Sequence, residues 1–162
     1  MSHNNFNWII PNKLASCHSP TPSELKEFHK QNINTIVCLQ TCETNDHFGD
    51  YDTPAYRISD VKKLGMQLFS IPVEDDMPPH DEQMNDFVSI VDNPKNKVLV
   101  HCHAGIGRSG CMLAAYIGRK YNLDGLKAIE KLHDIDIKYI ANELQMIAVI
   151  KYLDDFHEHN LH

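Results

Sequence analysis

Cys102-His103-Ala104-Gly105-Ile106-Gly107-Arg108-Ser109 places a cysteine and an arginine at the two ends of a glycine-rich turn, with a serine directly after. These residue types suit attack by sulfur on a group that carries several negative oxygens. Cys102 attacks only as a thiolate. The backbone N–H groups of residues 103–108, the dipole of a following helix and Arg108 would all favour that anion. Gly105 and Gly107 let the chain turn inward, so the N–H groups of His103, Ala104, Gly105, Ile106, Gly107 and Arg108 converge on phosphate-like oxygens. Arg108 offers two parallel donors, a geometry that lysine cannot match, and would stabilise a trigonal-bipyramidal transition state. The Ser109 hydroxyl is within reach of the sulfur and would ease its departure from a thiophosphate. His101 is expected to hold the loop by hydrogen bonding rather than by proton transfer. A departing oxygen also needs a proton, and a carboxylic acid on a movable loop is the usual donor. Glu74, Asp75 and Asp76 stand together upstream, after Ile71-Pro72.

The surrounding pattern supplies elements to hold these groups. Val98–Val100 is a β-branched and apolar run that delivers His101 and Cys102 to the turn, and an apolar helical stretch follows. Trp8–Pro11 and Leu14-Ala15 read as short strands or an edge hairpin, and Thr35–Leu39 as a buried parallel strand. Ser19–Ser23 caps a helix that buries Leu25 and Phe28. Residues 41–54 read as a loop. Tyr56, Val61 and Leu64 share a short helix stopped by Gly65, and Met66–Ile71 is a further strand. Pro78-Pro79 begins a helix that ends before Pro94. Three more helices are predicted over about 108–121, 123–133 and 140–157. The expectation is a single α/β domain over residues 1–162, with a mostly parallel sheet of four to five strands covered by helices on both faces.

Gly105-Ile106-Gly107-Arg108-Ser109-Gly110 also satisfies Gly-x-Gly-x-x-Gly, the dinucleotide fingerprint. Against that reading, the next segment is helical where a strand is needed, and the only acid near the required spacing is Asp124, inside a turn. A cysteine before the loop and an arginine within it are surplus to dinucleotide binding. A Walker loop fails because no lysine follows Gly107.

Composition narrows the class further. The 162 residues are 42% hydrophobic, enough for a real core. The net charge of −7 carries no bulk affinity for nucleic acid or anionic lipid. There is no apolar run of membrane-spanning length and no signal-peptide pattern at the N-terminus. Five cysteines without zinc-like spacing fit a reducing compartment, so the chain is expected in the cytoplasm, with the nucleus also open. His157, His159 and His162 lack partner cysteines and read as a solvated tail. No metal or cofactor is expected, and a monomer is.

His101-Cys102-x5-Arg108-Ser109-Gly110 resembles the signature of the protein tyrosine phosphatases. The short chain is similar to the atypical dual-specificity branch, and in particular to its small stand-alone VHZ-like members. Phe6–Ala15, Ile71-Pro72 with Pro78-Pro79 and Gln83, and the last helix from Ile140 to Tyr152 extend the likeness. Residues 41–65 are longer here than in that pattern, so no role transfers to them. The resemblance implies a cysteine-dependent phosphatase fold and hydrolysis of phosphotyrosine, with phosphoserine and phosphothreonine also accepted, on protein substrates. It implies catalysis by Cys102, Arg108, Ser109 and an aspartate. Counting back from Pro78-Pro79 and Gln83 gives Asp75, with Asp76 and Glu74 next in order. Gln145 falls where the family has a water-positioning residue, with Asn142 one turn before it; a surface glutamine reads equally well. His103 either tunes substrate preference or lines the rim. An RNA 5′-triphosphatase and a phosphoinositide phosphatase use the same loop. The acidic balance weighs against the first, and the lack of loop lysines against the second. A catalytically dead phosphate-binding module would have lost the cysteine, the arginine or the acid. Cys111 reads as a buried small residue, and a regulatory disulfide from Cys102 to Cys38 or Cys42 stays open.

Overall fold

The computed structural model describes residues 4–41 and 52–160. β1 (Asn7–Ile10) and β2 (Leu14–Cys17) form an antiparallel hairpin, and α1 (Pro22–Lys30) follows. The Thr21 hydroxyl accepts from the Glu24 N–H while the Glu24 carboxylate accepts from the Thr21 N–H, which fixes the start of α1. β3 (Thr35–Cys38), α2 (Ile58–Lys63), β4 (Gln67–Ser70) and α3 (Asp81–Asp92) come next. β5 (Val98–His101) then leads to α4 (Gly107–Lys120), α5 (Gly125–Ile135) and α6 (Glu143–His159).

The five strands lie in the order β1-β2-β5-β3-β4, with only β1 antiparallel. β2, β3 and β5 are buried along their whole length, which is why β3 and β5 read as apolar runs. Helices α3 to α6 pack against Leu14, Val37, Leu39, Val98 and Val100 on one face. Helices α1 and α2 cover Ala15, Ile36 and Leu99 on the other. Cys17 and Cys38 both stand opposite His101 in register, so the three central strands end together and Cys102 leaves from the middle one. Ligand crevices of parallel sheets form at this carboxyl edge.

Several expectations shift in detail. Tyr56 precedes α2 instead of sharing it, because Arg57 is extended and its N–H is taken by the Asp60 side chain. α3 starts at Asp81, after the prolines, since the Gln83 carboxamide accepts from the His80 N–H. Asp124 caps α5 by accepting from the Lys127 N–H, so the acid that a dinucleotide site would need is spent on a helix start. α6 runs on to His159, and His157 meets the Leu123 carbonyl instead of lying in a solvated tail, while His159 is exposed on the last turn and His162 lies outside the described residues. No helix among the described residues is long and apolar enough to cross a membrane.

Candidate active site

The loop after β5 closes around Cys102, which is 3% exposed. The Ser109 hydroxyl donates to its sulfur at 3.3 Å. Gly105 has φ of +78°, and a Cβ there would lie 2.4 Å from the Cys17 carbonyl oxygen, so no other residue fits the turn. Gly107 is needed for a different reason. It opens α4 with helical geometry, and a Cβ would press to 2.9 Å from the Gln145 carboxamide. The loop is tied from outside by the Asn5 carboxamide on the Ala104 carbonyl at 2.8 Å and the Ser19 N–H on the His103 carbonyl at 3.0 Å. The first bond inside α4 runs from the Gly110 N–H to the Ile106 carbonyl, so the preceding N–H groups have no helical acceptor. They belong to the turn that faces the cleft.

His101 is wholly buried behind this loop. One ring nitrogen, Nδ1, meets the Cys102 carbonyl at 3.1 Å, and Nε2 meets the Tyr56 hydroxyl at 2.5 Å. A carbonyl only accepts, so Nδ1 carries the proton and Tyr56 donates to Nε2. Burial drops the imidazole to about 4, overriding the Cys102 carbonyl bond, so the ring is neutral. Burial likewise pushes the Tyr56 phenol well up, which keeps it a donor. His101 is thus hydrogen-bonded at both nitrogens, between Tyr56 and the first carbonyl of the loop. Tyr56 is a partner that the sequence did not single out.

Arg108 is 1% exposed and lines the same cleft as Cys102. Its Nη1 and Nη2 donate to the two Asp52 oxygens at 2.7 and 3.1 Å, and Nη1 also donates to the Val73 carbonyl at 2.8 Å. Asp52 is held in turn by the Thr41 N–H and hydroxyl at 2.9 and 3.0 Å. Burial alone would raise this carboxyl. The hydrogen bonds from Arg108 and Thr41 outweigh it and hold the carboxyl at about 2. A guanidinium has three edges. Asp52 takes the Nη1/Nη2 edge and fixes the plane, so the Nε/Nη2 edge is the one with the geometry to receive two oxygens of an oxyanion. Asp52 comes from the segment to which no role could be transferred. Glu43, Asp46 and Asp50 precede it, and nothing in the spacing marks out the one that reaches Arg108.

Across the cleft, Asp75 Oδ1 sits 3.3 Å from Arg108 Nη2 and accepts from the Asp76 N–H at 3.0 Å. Asp76 lines the same cleft, while Glu74 lines a separate hollow with Pro78 and His80. The cleft has a volume of about 260 Å³, and its lining also includes Cys102, His103, Ala104, Ile106 and Gln145. His103 is exposed at the rim. Gln145 is only 1% exposed, against the surface alternative. Its Oε1 accepts from the Ala141 N–H at 2.8 Å, and its Nε2 donates to the Met77 carbonyl at 3.3 Å.

The described cysteines other than Cys102 are buried thiols. Burial pushes Cys38 up to about 11 and raises Cys17 and Cys111 further from thiolate character. Cys38 and Cys102 are both free thiols here and lie on different faces of the sheet. Cys38 is in register with His101 and shares a hollow with Tyr56, whereas Cys102 packs with Val37 and Leu39 on the other face. Cys42 lies outside the described residues. Cys111 sits inside α4 as the expected small core residue.

Residues 3–145 match the family model described as Swiss Army Knife protein, DSP-PTPase phosphatase domain. The chain belongs to the DSP-PTPase phosphatase family. That family belongs to the tyrosine phosphatase superfamily, in its atypical dual-specificity branch. As a member of that family the chain is 30% identical over 137 residues to the tyrosine-protein phosphatase cdc-14 of Caenorhabditis elegans. That alignment covers 76% of this chain but 18% of the nematode protein, so the chain spans a small part of that relative. The crystal structure of Tk-PTP in its active form aligns with a TM-score of 0.76 at 21% identity, covering 95% of this chain and 99% of that one. PTPMT1 in complex with PI(5)P aligns with a TM-score of 0.79 at 16% identity, covering 95% and 97%. At these identities the two structures speak for the shared phosphatase fold alone.

Proposed function

We propose that this DSP-PTPase hydrolyses phosphomonoesters on proteins, phosphotyrosine and also phosphoserine and phosphothreonine, through a cysteinyl-phosphate intermediate. The observation that carries the mechanism is the orientation of Arg108. Asp52 holds one edge of the guanidinium, and the Nε/Nη2 edge, whose Nη2 now meets Asp75, is left for the cleft lined by Cys102 and Asp75. In the first step the Cys102 thiolate attacks phosphorus in line, the ester P–O bond breaks and Asp75 gives its proton to the departing oxygen. Arg108 and the loop N–H groups bear the charge that builds on the equatorial oxygens. In the second step Asp75 takes a proton from water, the water oxygen bonds to phosphorus and the S–P bond breaks. The Ser109 hydroxyl hydrogen-bonds the sulfur as it leaves as thiolate.

Substrate class follows from charge. The loop interior at Ala104 and Ile106 is neutral, Asp75 and Asp76 line the cleft, and Glu143 stands at the helix start beside it. Such a rim repels polyphosphates, anionic lipid surfaces and RNA, and favours a phosphopeptide with basic neighbours. Turnover of a phosphotyrosine peptide, a phosphothreonine peptide, a phosphoinositide vesicle and 5′-triphosphorylated RNA, all in EDTA, tests this. The peptides are expected to give the higher kcat/KM, and a preference for vesicle or RNA would overturn the substrate assignment.

The acid has its own test. Asp75→Asn is expected to lower kcat by about 10²- to 10⁴-fold and to remove the basic limb of the pH profile, because the proton donor is gone. Asp76→Asn is expected to keep that limb. The reverse pattern would move the acid by one residue.

A further inference from the structure

The root and the tip of the acid loop are held by different groups. At the root, the Val73 N–H donates to the Leu39 carbonyl, the Val73 carbonyl accepts from Arg108, and the Gln83 carboxamide donates to the Pro72 carbonyl. At the tip, Asp76 adopts φ of +66°, a left-handed conformation that aspartate tolerates and that turns the chain sharply after Asp75. Two carboxamides on α6 reach this turn. Asn142 Nδ2 donates to the Asp76 carbonyl at 2.9 Å, and Gln145 Nε2 to the Met77 carbonyl at 3.3 Å. Asn142 Oδ1 meanwhile caps α6 by accepting from the Gln145 N–H at 3.0 Å. The start of α6 is itself tied to the cradle, since the Ile140 N–H donates to the Ile106 carbonyl at 3.1 Å.

We infer that Asn142 is the positioning residue that latches the Asp75 loop over the phosphate cradle, and that it acts on proton donation rather than on phosphate binding. The inference rests on Asp75 as the acid. Asp75 now shares Arg108 Nη2, on the edge that a bound phosphoryl group needs. When phosphate takes that edge, the Arg108 contact no longer holds the tip, and Asp75 must face the departing oxygen. The Asn142 bond goes to a main-chain carbonyl and survives that exchange. Gln145 serves the same latch through Met77, an additional role to the water-positioning one implied by resemblance.

The test is kcat/KM across a series of aryl phosphates of rising leaving-group basicity, for wild type, Asn142→Ser, Asp75→Asn and the double variant. Serine caps a helix about as well as asparagine but is too short to reach Asp76, so the fold is kept and the latch is lost. Proton donation matters most for the worst leaving groups. Asn142→Ser is expected to lose about tenfold on the most basic leaving group and less than about twofold on the most acidic, a part of what a general acid contributes. In the Asp75→Asn background the same change is expected to add nothing, because there is no acid left to position. Asn142→Asp, which also caps and has no donor, repeats the comparison independently of how the serine variant folds. A loss uniform across the series, or one that persists without Asp75, would overturn the latch. An Asp75→Asn line parallel to wild type would instead remove the acid itself, and the latch with it.

Discussion

Cys102→Ser is expected to lower turnover of a phosphotyrosine peptide by on the order of 10⁴-fold or more, because the covalent route disappears and a hydroxyl does not replace a thiolate here. His101 is neutral, and its two nitrogens are already engaged with Tyr56 and Cys102, so it offers no base to activate a serine. The cradle itself should survive. Its shape depends on Gly105, the Asn5 and Ser19 contacts and Arg108, none of which involves the sulfur. Removing a negative sulfur also relieves its repulsion with a phosphate dianion. The serine variant is therefore expected to bind the phosphopeptide at least as tightly as wild type while failing to hydrolyse it. Equilibrium binding by fluorescence anisotropy beside single-turnover kinetics checks both halves. Retained turnover would remove Cys102 as the nucleophile.

Asp52→Ala is expected to fail in two ways. It strips the partner from a guanidinium that is 1% exposed, and breaking a buried ion pair by removing one partner costs about 3–5 kcal/mol. It also frees Arg108 to rotate, and misplacing a catalytic group by about 1 Å costs on the order of 10²-fold in rate. Urea unfolding and kcat/KM read the two effects separately. Asp52→Asn keeps the shape and separates charge from volume. The pH dependence has a definite sign. The folded carboxyl is held at about 2, below its ordinary value of 3.8, so this pair contributes its full stability above that ordinary value. The contribution is lost as pH falls from there through about 2. Wild type should show that acid-side loss and Asp52→Asn should lack it. Full activity in Asp52→Ala would refute the account of how Arg108 is aimed.

What could be read from sequence follows the distance over which each residue acts. Cys102, Arg108 and Ser109 share one loop, and their spacing alone fixes which groups converge. Strands β3 and β5 were legible because a strand buried on both faces must be apolar throughout. Asp75 could be singled out as the candidate acid only beside the prolines and Gln83 of a similar family. Asp52 and Tyr56 could not be, because they meet Arg108 and His101 across separations of 56 and 45 residues. A lone aspartate in a polar stretch and a lone tyrosine near a short helix have no period that betrays such a contact. Tyr56 was misread as a helix residue because its spacing to Val61 and Leu64 suits a buried helical face, while its hydroxyl is what the site uses. Asn142 carried the mark of a helix cap, and its other amide group, turned to Asp76, is visible only in the folded chain.

The central claim is a phosphoryl group carried by Cys102, and the direct measurement is to catch it there. Ser109→Ala removes the hydrogen bond to the departing sulfur and should slow the second step more than the first, so the intermediate accumulates. That variant is mixed with a phosphotyrosine peptide, quenched in acid within one turnover and examined by mass spectrometry. The expected result is one added phosphoryl group, located on the fragment that contains Cys102 and absent when Cys102 is serine. Burst release of tyrosine peptide with no phosphoryl on the enzyme, or with the group on another residue, would contradict it.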